Sequence, residues 1–264
     1  MRILPLAAGI ATGALLVRQR QRRQSAERLA AAVLETLLRA IDANDGETGG
    51  HVRRVARYAL LLAEAADMDE SEQRNVERIA LFHDVGKIDE ALFDIIHDPS
   101  NLSDEEREAV RTHPTRGADV LAPVAAFYPE LAEGVLSHHE RWDGGGYPRG
   151  LQGESIPFAA RVVTIADAFD AMTYTRRYQT AGSAEEASEK LMAGRGTQFD
   201  PDLVDLFLTP PVFKDALAVL HDDQRPRRRG APQAPPRDAP LPKLRFRWRT
   251  TTSSPRSPDL APKG

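Results

Sequence analysis

An all-α fold is predicted for this chain of 264 residues, and three observations predict it. Apolar residues recur at spacings of three and four along most of the chain, which is the period of an amphipathic helix. No segment has the sustained alternation of apolar and polar residues that is typical of a half-buried strand. No internal repeat period is present, so a solenoid is not expected. A helical bundle with a body of about 200 residues is the most economical arrangement.

The N-terminal segment, residues 3–17, is apolar and is followed by four arginines within residues 18–23. A helix of that length spans roughly 22 Å, which is short of the roughly 30 Å hydrocarbon core of a bilayer. A signal peptide is not expected, because the basic cluster follows the apolar run. Residues 1–24 are therefore either a non-membrane leader or a marginal anchor that contacts a membrane through residues 3–23. If the anchor inserts, the positive-inside rule leaves the body in the cytoplasm, attached to the inner membrane.

Three helices are predicted between residues 25 and 83. The first covers residues 25–42, and its apolar face is expected to contain Leu29, Val33, Leu34, Leu37, Leu38 and Ile41. The second places His51, Val55, Ala59 and Leu62 along one side, with the arginines at positions 53, 54 and 57 elsewhere on its surface. The third begins near Asp69, carries His83 and Asp84 at the end of an apolar stripe, and is expected to end at Gly86.

Capping residues, proline and glycine divide the middle of the chain. A short helix is expected at residues 90–96, and Ser103 starts a capping box that opens another helix. That helix should end at His113, because the residue before a proline leaves the α region. A further helix carries His138 at the end of its apolar face and gives way to a glycine-rich loop at residues 140–148.

Residues 158–172 are apolar nearly all round, so a buried central helix is predicted there. Asp167 lies in the middle of this helix, and a buried carboxylate requires a partner or a metal ion. Ser183 opens a further helix through a second capping box. Asp200 is the expected N-cap of another helix, with Pro201 as its first residue.

Composition and charge narrow the function classes. The helical domain is assigned to residues 25–222, and residues 223–264, with nine prolines and eleven basic residues, are predicted to be a disordered tail. The net charge of the chain is −4, but both ends are basic, so residues 24–223 carry a net charge of −18. Such a body does not attract nucleic acid through its long-range field. The absence of cysteine from the sequence excludes disulfides and thiolate metal ligands.

A candidate metal site emerges from the histidines, because five of the seven lie at helix ends or on inward faces beside carboxylates. Together with three acidic residues they form a set of eight nitrogen or oxygen ligands: Glu47, His51, His83, Asp84, His113, His138, His139 and Asp167. Eight ligands exceed the need of one octahedral ion, whereas two ions could share a bridging aspartate. Two metals about 3.5–4 Å apart form the clamp used for in-line displacement at phosphorus. His97 and His221 have no such setting and are interpreted as ordinary residues.

The same residues carry a resemblance to a known family. Seven sequence blocks follow in one order: Glu47-Thr48-Gly49-Gly50-His51, His83-Asp84-Val85-Gly86-Lys87, His113-Pro114, His138-His139-Glu140-Arg141, Gly146-Tyr147-Pro148, Ile165-Ala166-Asp167-Ala168-Phe169-Asp170-Ala171 and Phe199-Asp200-Pro201. Over residues 30–210 the chain resembles an HD-GYP domain. These domains are cyclic di-GMP phosphodiesterases within the HD superfamily of metal-dependent phosphohydrolases. The resemblance implies an HD-domain-like helical bundle with a binuclear metal site.

The resemblance also implies roles for individual residues. The first metal would be held by His51, His83, Asp84 and Asp167. Asp84 would bridge to a second metal, held by His113, His138 and His139. Glu47 matches a position that supports a third metal in some members, and iron or manganese is the expected metal. Lys87 and Arg176 would contact the phosphate, and the loop at residues 146–148 is linked to protein partners.

By this resemblance the chain is expected to hydrolyse cyclic di-GMP or a related cyclic dinucleotide to pGpG, and to GMP after a second round. The nucleophile would be a metal-activated water, and Asp84 and Lys87 would be the catalytic residues. Two alternatives stay open: a metal-binding nucleotide sensor or docking scaffold without turnover, and an HD hydrolase for another phosphoester. One departure concerns the sequence after the central helix, where relatives often have Arg-Pro-Tyr-Arg and this chain has Arg176-Arg177-Tyr178-Gln179. The second basic residue is therefore missing.

Overall fold

A computed structural model of the chain describes residues 4–44, 46–88, 103–174 and 181–224, with side chains described at 18–43, 48–87, 103–174 and 181–222. Within these ranges the regular structure is helical, and the only β pairs are two isolated bridges. The α-helices are α1 (Leu4–Asn44), α2 (Gly46–Ala65), α3 (Glu70–Phe82), α4 (Asp104–Arg111), α5 (His113–Leu121), α6 (Pro129–Ser137), α7 (Phe158–Thr173), α8 (Ala184–Ala193), α9 (Pro201–Phe207) and α10 (Pro210–Gln224). Short 3₁₀ helices cover Val85–Ile88, Ala122–Val124 and Gly153–Ser155. The all-α prediction is confirmed.

Helices α2 and α7 form the centre of the bundle. Helix α2 packs against α1, α3, α7 and α10, and α7 also packs against α3, α6, α8 and α9. Their contact is filled by the fully buried rings of Tyr58 and Phe169, which meet edge to face with centroids 5.1 Å apart. Phe207 of α9 extends this contact, 5.2 Å from Phe169. Because Phe169 lies between Asp167 and Asp170 in the sequence, this packing fixes the part of α7 that carries both carboxylates.

Helix α1 differs from the prediction in its inward face. Ala30, Leu34, Leu38 and Ile41 are buried, whereas Leu29 and Val33 are 67% and 41% exposed. Residues four apart advance by about 40° beyond a full turn at 3.6 residues per turn, so a series of four-residue steps drifts around the helix. The helix also runs without a break from Leu4 to Asn44, so the domain boundary at residue 24 stays a prediction. Among the described residues, no helix is both long and apolar enough to cross a membrane.

Local sequence signals set most of the other helix boundaries. Asp69, Ser103 and Ser183 each form a capping box at the start of a helix, as predicted for the latter two. Asp200 caps α9 by accepting hydrogen bonds from the N–H groups of residues 202 and 203. The boundary at His113 is also present, but the predicted reason is wrong. His113 begins α5 with Pro114 in the first turn, where the missing proline N–H costs nothing.

Two further sequence expectations are corrected. Helix α3 ends at Phe82, and Gly86 lies in the following 3₁₀ helix. There a Cβ on Gly86 would lie 2.1 Å from the carbonyl oxygen of His113 and 2.6 Å from the nitrogen of Gly117, so glycine permits the close approach of two backbone segments. Arg54 was expected on the surface of α2 but is 3% exposed.

Some sequence expectations lie outside the described residues. These are the helix at 90–96, His97, Arg176 with the neighbouring residues 177–179, and the tail from residue 225 onward. The backbone of Glu47 is the second residue of α2, but its side chain is outside the described set. His221 is exposed in the last turns of α10, as expected for an ordinary residue.

Candidate metal centre

The bundle brings five histidines and two aspartates together at the ends and inner faces of five helical segments. His51 projects from α2, His83 and Asp84 follow α3, and His113 begins α5. His138 and His139 follow α6, and Asp167 lies on α7. The rings form a continuous series, with centroids 5.3 Å apart for His51 and His83 and 5.1 Å apart for His83 and His138. His113 is 4.9 Å from His139.

These residues divide into two trios, which we call the first and second trio. The first trio is His51, His83 and Asp167, and the second trio is His113, His138 and His139. In each trio the candidate ligand atoms lie within 4.8 Å of one another, so each could hold one metal ion. In the first trio, Oδ1 of Asp167 is 3.3 Å from Nε2 of His51 and 3.8 Å from Nε2 of His83.

Asp84 lies between the two trios and turns one carboxylate oxygen toward each. Its Oδ2 atom is 3.5 Å from Nε2 of His83 and 3.9 Å from Nε2 of His51. Its Oδ1 atom is 3.3 Å from Nε2 of His113 and 4.0 Å from Nε2 of His138. A carboxylate placed in this way can serve as a ligand to both positions.

Hydrogen bonds at Nδ1 determine which ring nitrogen of these histidines is available to a metal. Nδ1 of His83, His113 and His138 donates to the backbone carbonyl three residues earlier, at 2.8, 2.7 and 2.6 Å respectively. A carbonyl oxygen only accepts, so these Nδ1 atoms carry the hydrogen, and Nε2 of the neutral ring presents a lone pair. Such an outer partner orients a histidine toward a metal.

The lone pairs of the histidine Nε2 atoms and of the Asp84 carboxylate point toward one another, which favours a cation between them. Nε2 of His113 is 3.2 Å from Nε2 of His138 and faces Oδ1 of Asp84, so acceptor atoms face one another. Within the described ranges, Nε2 of His83 and Oδ1 of Asp84 are buried and have no hydrogen-bond partner. Unpaired buried acceptors are costly, and a divalent cation would satisfy them. The donor set, all nitrogen and oxygen, fits iron, manganese, nickel or zinc.

The protonation states of the second trio and of Asp84 also fit metal binding. Burial lowers the pKa of His113 to about 3 and that of His139 to about 4, and it holds the pKa of His138 well below its usual value. The second trio is therefore neutral near pH 7, which is the form that binds metal. Burial acts to raise the pKa of Asp84, but Lys87 and the surrounding histidines outweigh it and lower that pKa strongly. Asp84 is therefore a carboxylate.

A buried ion pair supports His51, and the sequence reasoning missed it. Asp170 is fully buried and accepts hydrogen bonds from Nδ1 of His51 at 2.7 Å and from Nε of Arg54 at 2.7 Å. A second Arg54 bond, from Nη2, measures 3.0 Å. The signal was present, since Asp170 follows Asp167 by three residues and Arg54 follows His51 by three, which places each pair on one helix face.

The glycine-rich loop folds back onto His139 of the second trio. Glu140 is 2% exposed and accepts the backbone N–H groups of Arg149 at 2.8 Å and Leu151 at 3.0 Å. The N–H of Tyr147 donates to the carbonyl of His139 at 3.2 Å. The Tyr147 ring stacks on the His139 ring with centroids 4.9 Å apart and planes inclined by 22°. The loop therefore contacts the candidate site directly.

The predicted substrate contacts have different outcomes. Nζ of Lys87 is 2.7 Å from Oδ2 of Asp84, so the lysine lies at the site and neutralises part of its charge. Arg176 lies outside the described residues, as does the side chain of Glu47. The side chains of seven of the eight ligands predicted from the sequence therefore lie together at this site, all except that of Glu47.

A family model and curated relatives match this chain. The family model described as "HD domain" matches residues 35–203 of the chain. The chain is 39% identical over 174 residues to the 3′3′-cGAMP-specific phosphodiesterase 2 of Vibrio cholerae, a match that covers 65% of this chain and 33% of that protein. It is 40% identical over 177 residues to the cyclic di-GMP phosphodiesterase response regulator RpfG of Xanthomonas campestris, covering 66% of this chain and 46% of that protein.

A solved structure shares the fold. The crystal structure of the cyclic GMP-AMP-specific phosphodiesterase V-cGAP3 of Vibrio cholerae superimposes with a TM-score of 0.52 and 25% identity. The superposition covers 73% of this chain and 52% of that one. The chain thus spans a third to about half the length of the curated relatives named above. The HD resemblance inferred from the sequence blocks is confirmed.

Proposed function

Because this chain belongs to the HD domain family, we propose that it is a metal-dependent phosphodiesterase that hydrolyses cyclic di-GMP or a related cyclic dinucleotide. The product would be linear pGpG, and GMP after a second round. One observation carries the proposal: Asp84 turns one carboxylate oxygen toward each of two ligand trios. That arrangement suits a pair of divalent ions and the in-line displacement at phosphorus that such pairs perform.

The proposed ligands follow the two trios. His51, His83, Asp84 and Asp167 would hold one ion, and Asp84, His113, His138 and His139 would hold the other. Iron or manganese is the proposed metal, and Glu47 would support a third ion. When bound, the ions would supply an activated water and neutralise charge that develops on the phosphoryl oxygens.

Positively charged side chains of the chain itself would contact the phosphate groups of the substrate. Lys87 is in contact with Asp84 at 2.7 Å and has a partly exposed side chain, so its ammonium group can exchange this contact for a phosphate oxygen. A positive group placed where negative charge develops stabilises the transition state. Arg176 would also bind the substrate's phosphate. The loop at residues 146–148 would contact a protein partner. Residues 1–24 would be either a non-membrane leader or a marginal anchor that contacts a membrane through residues 3–23.

Turnover of cyclic dinucleotides by the purified chain tests the proposal. The protein is loaded anaerobically with iron or manganese, its metal content is measured, and cyclic di-GMP, 3′3′-cGAMP and cyclic di-AMP are compared as substrates. Asp84→Ala should abolish turnover. The control is Asp205→Asn, which should leave turnover unchanged, because Asp205 is a surface carboxylate paired with Arg195 at 2.5 Å. The absence of any product at full metal occupancy would favour the alternative of a nucleotide sensor or docking scaffold. Turnover of a different phosphoester alone would favour another HD hydrolase.

A further inference from the structure

His139 is held differently from the other four histidines of the site. Nδ1 of His51 donates to a carboxylate, and Nδ1 of His83, His113 and His138 donates to backbone carbonyls. Among residues whose side chains are described, none makes a hydrogen bond to the His139 ring. The ring would therefore turn about its side-chain torsions unless packing prevented it.

Three rings pack against His139. Those of His138 and His113, with centroids 4.1 and 4.9 Å away, belong to the second trio, and that of Tyr147 comes from the glycine-rich loop. Tyr147 stacks on His139 with centroids 4.9 Å apart, and the guanidinium of Arg111 lies over the Tyr147 ring at 4.7 Å. The tyrosine ring is thus in contact with His139 and with an arginine from the last turn of α4. Cation–π contacts of this kind are attractive even at partly exposed sites.

The backbone of the loop is braced as well, so Tyr147 does not move freely. The buried carboxylate of Glu140 accepts the backbone N–H groups of Arg149 and Leu151, which follow the loop, and the Tyr147 N–H donates to the carbonyl of His139. His139, whose ring lacks an anchoring hydrogen bond, therefore packs against the ring of Tyr147, whose backbone is held in place. This is the arrangement of an outer support for a metal ligand, built from stacking in place of a hydrogen bond.

We propose that Tyr147 is a positioning residue for His139, and that its ring fixes the orientation in which His139 completes the second trio. The inference rests on the proposed function, since it assumes that the second trio holds a divalent ion. Its consequence is specific: the loop conformation sets the affinity of the second position and leaves the first position unaffected. A contact that displaced Tyr147 would weaken only one of two metal positions.

Metal titration of three variants tests the inference independently of turnover. The metal-free full chain is titrated with Mn²⁺ by calorimetry, and bound metal is counted after gel filtration. Tyr147→Leu removes the stacking surface and is expected to weaken one of the two binding events, that of the second trio, by about tenfold, the lower end of the effect of losing an outer support. Tyr147→Phe keeps the ring and should bind both ions as the parent protein does. The other binding event should be the same in the parent protein, Tyr147→Leu and Tyr147→Phe.

Tyr128→Leu is the matched control. The Tyr128 ring also lies under an arginine, Arg78 at 4.6 Å, but Tyr128 is at the start of α6, whereas His138 and His139 follow its end. It should leave both binding events unchanged. Equal weakening of both events in Tyr147→Leu, or no weakening, would overturn the inference while the two-ion proposal stands. Binding of fewer than two ions by the parent protein would overturn the two-ion proposal and this inference together. Loss of affinity in Tyr147→Phe would assign the effect to the hydroxyl and overturn the stacking argument.

Discussion

Replacing Asp170 with asparagine removes a buried charge that joins His51 to Arg54. Asp170 and Arg54 are 0% and 3% exposed, and Asp170 accepts bonds of 2.7, 2.7 and 3.0 Å from the two residues. Burial acts to raise the pKa of Asp170, but the His51 and Arg54 bonds lower it overall, so the group is a carboxylate at neutral pH. The amide of asparagine offers one accepting oxygen, and its NH₂ group would face a donor.

Two magnitudes follow from this geometry. Removing one partner of a buried ion pair costs about 3–5 kcal/mol of unfolding free energy, because the guanidinium loses its countercharge in a water-poor setting. Losing the outer partner of a metal-ligating histidine weakens metal binding by about 10–100-fold. Asp170→Asn should therefore lower both the stability of the metal-free protein and the affinity of the first trio. Urea unfolding measures the former and Mn²⁺ calorimetry the latter.

The control is another buried carboxylate paired with an arginine. Asp200 is 5% exposed and lies 2.5 Å from Arg161, and it contacts no histidine among the described residues. Asp200→Asn should lower stability while both metal affinities stay at the parent value. Arg54→Lys, which keeps the positive charge, should cost less stability than Asp170→Asn. If folded Asp170→Asn protein bound metal as the parent does, the argument that Asp170 orients His51 would be refuted.

Other expected outcomes concern pH, packing and capping. With metal removed, the pKa values of about 3 for His113 and about 4 for His139 lie below the usual 6.5, so the unfolded chain takes up protons first. The free energy of unfolding, measured by urea titration, should therefore fall as the pH decreases from 6.5 toward 4, and a rise would contradict the pKa assignment. Gly86→Ala would place a Cβ 2.1 Å from the carbonyl oxygen of His113, so we expect the free energy of unfolding to fall by at least about 1–3 kcal/mol in the same assay. An unchanged unfolding midpoint would mean that the backbone segments of Gly86 and His113 can move apart. Ser103→Ala should cost about 1 kcal/mol, with faster hydrogen exchange confined to α4, and exchange spread over the bundle would contradict a local capping role.

Local chemistry was enough to predict most of the helices. The boxes at Ser103 and Ser183 and the cap at Asp200 depend on residues within three positions of one another, so they can be recognised in a linear sequence. The buried helix at residues 158–172 was predicted from its apolar composition alone and agrees with α7. The inward face of α1 was predicted only in part: Leu34, Leu38 and Ile41 are buried as expected, but Leu29 and Val33 are exposed. The choice among its several apolar positions depends on where α2 lies.

The sequence by itself also determined which residue types gather at the site, since buried histidines and carboxylates without cysteine limit the ligands to nitrogen and oxygen. The tertiary structure alone decided how they are arranged. Asp170 contacts His51 across 119 positions and Arg54 across 116, and the stacking of Tyr147 on His139 requires a folded loop. Helical periodicity specifies which face of a helix a side chain occupies, but not which distant face it meets. That pairing is set by the packing of the whole bundle, in which a buried charge is tolerated only where a second helix supplies its partner.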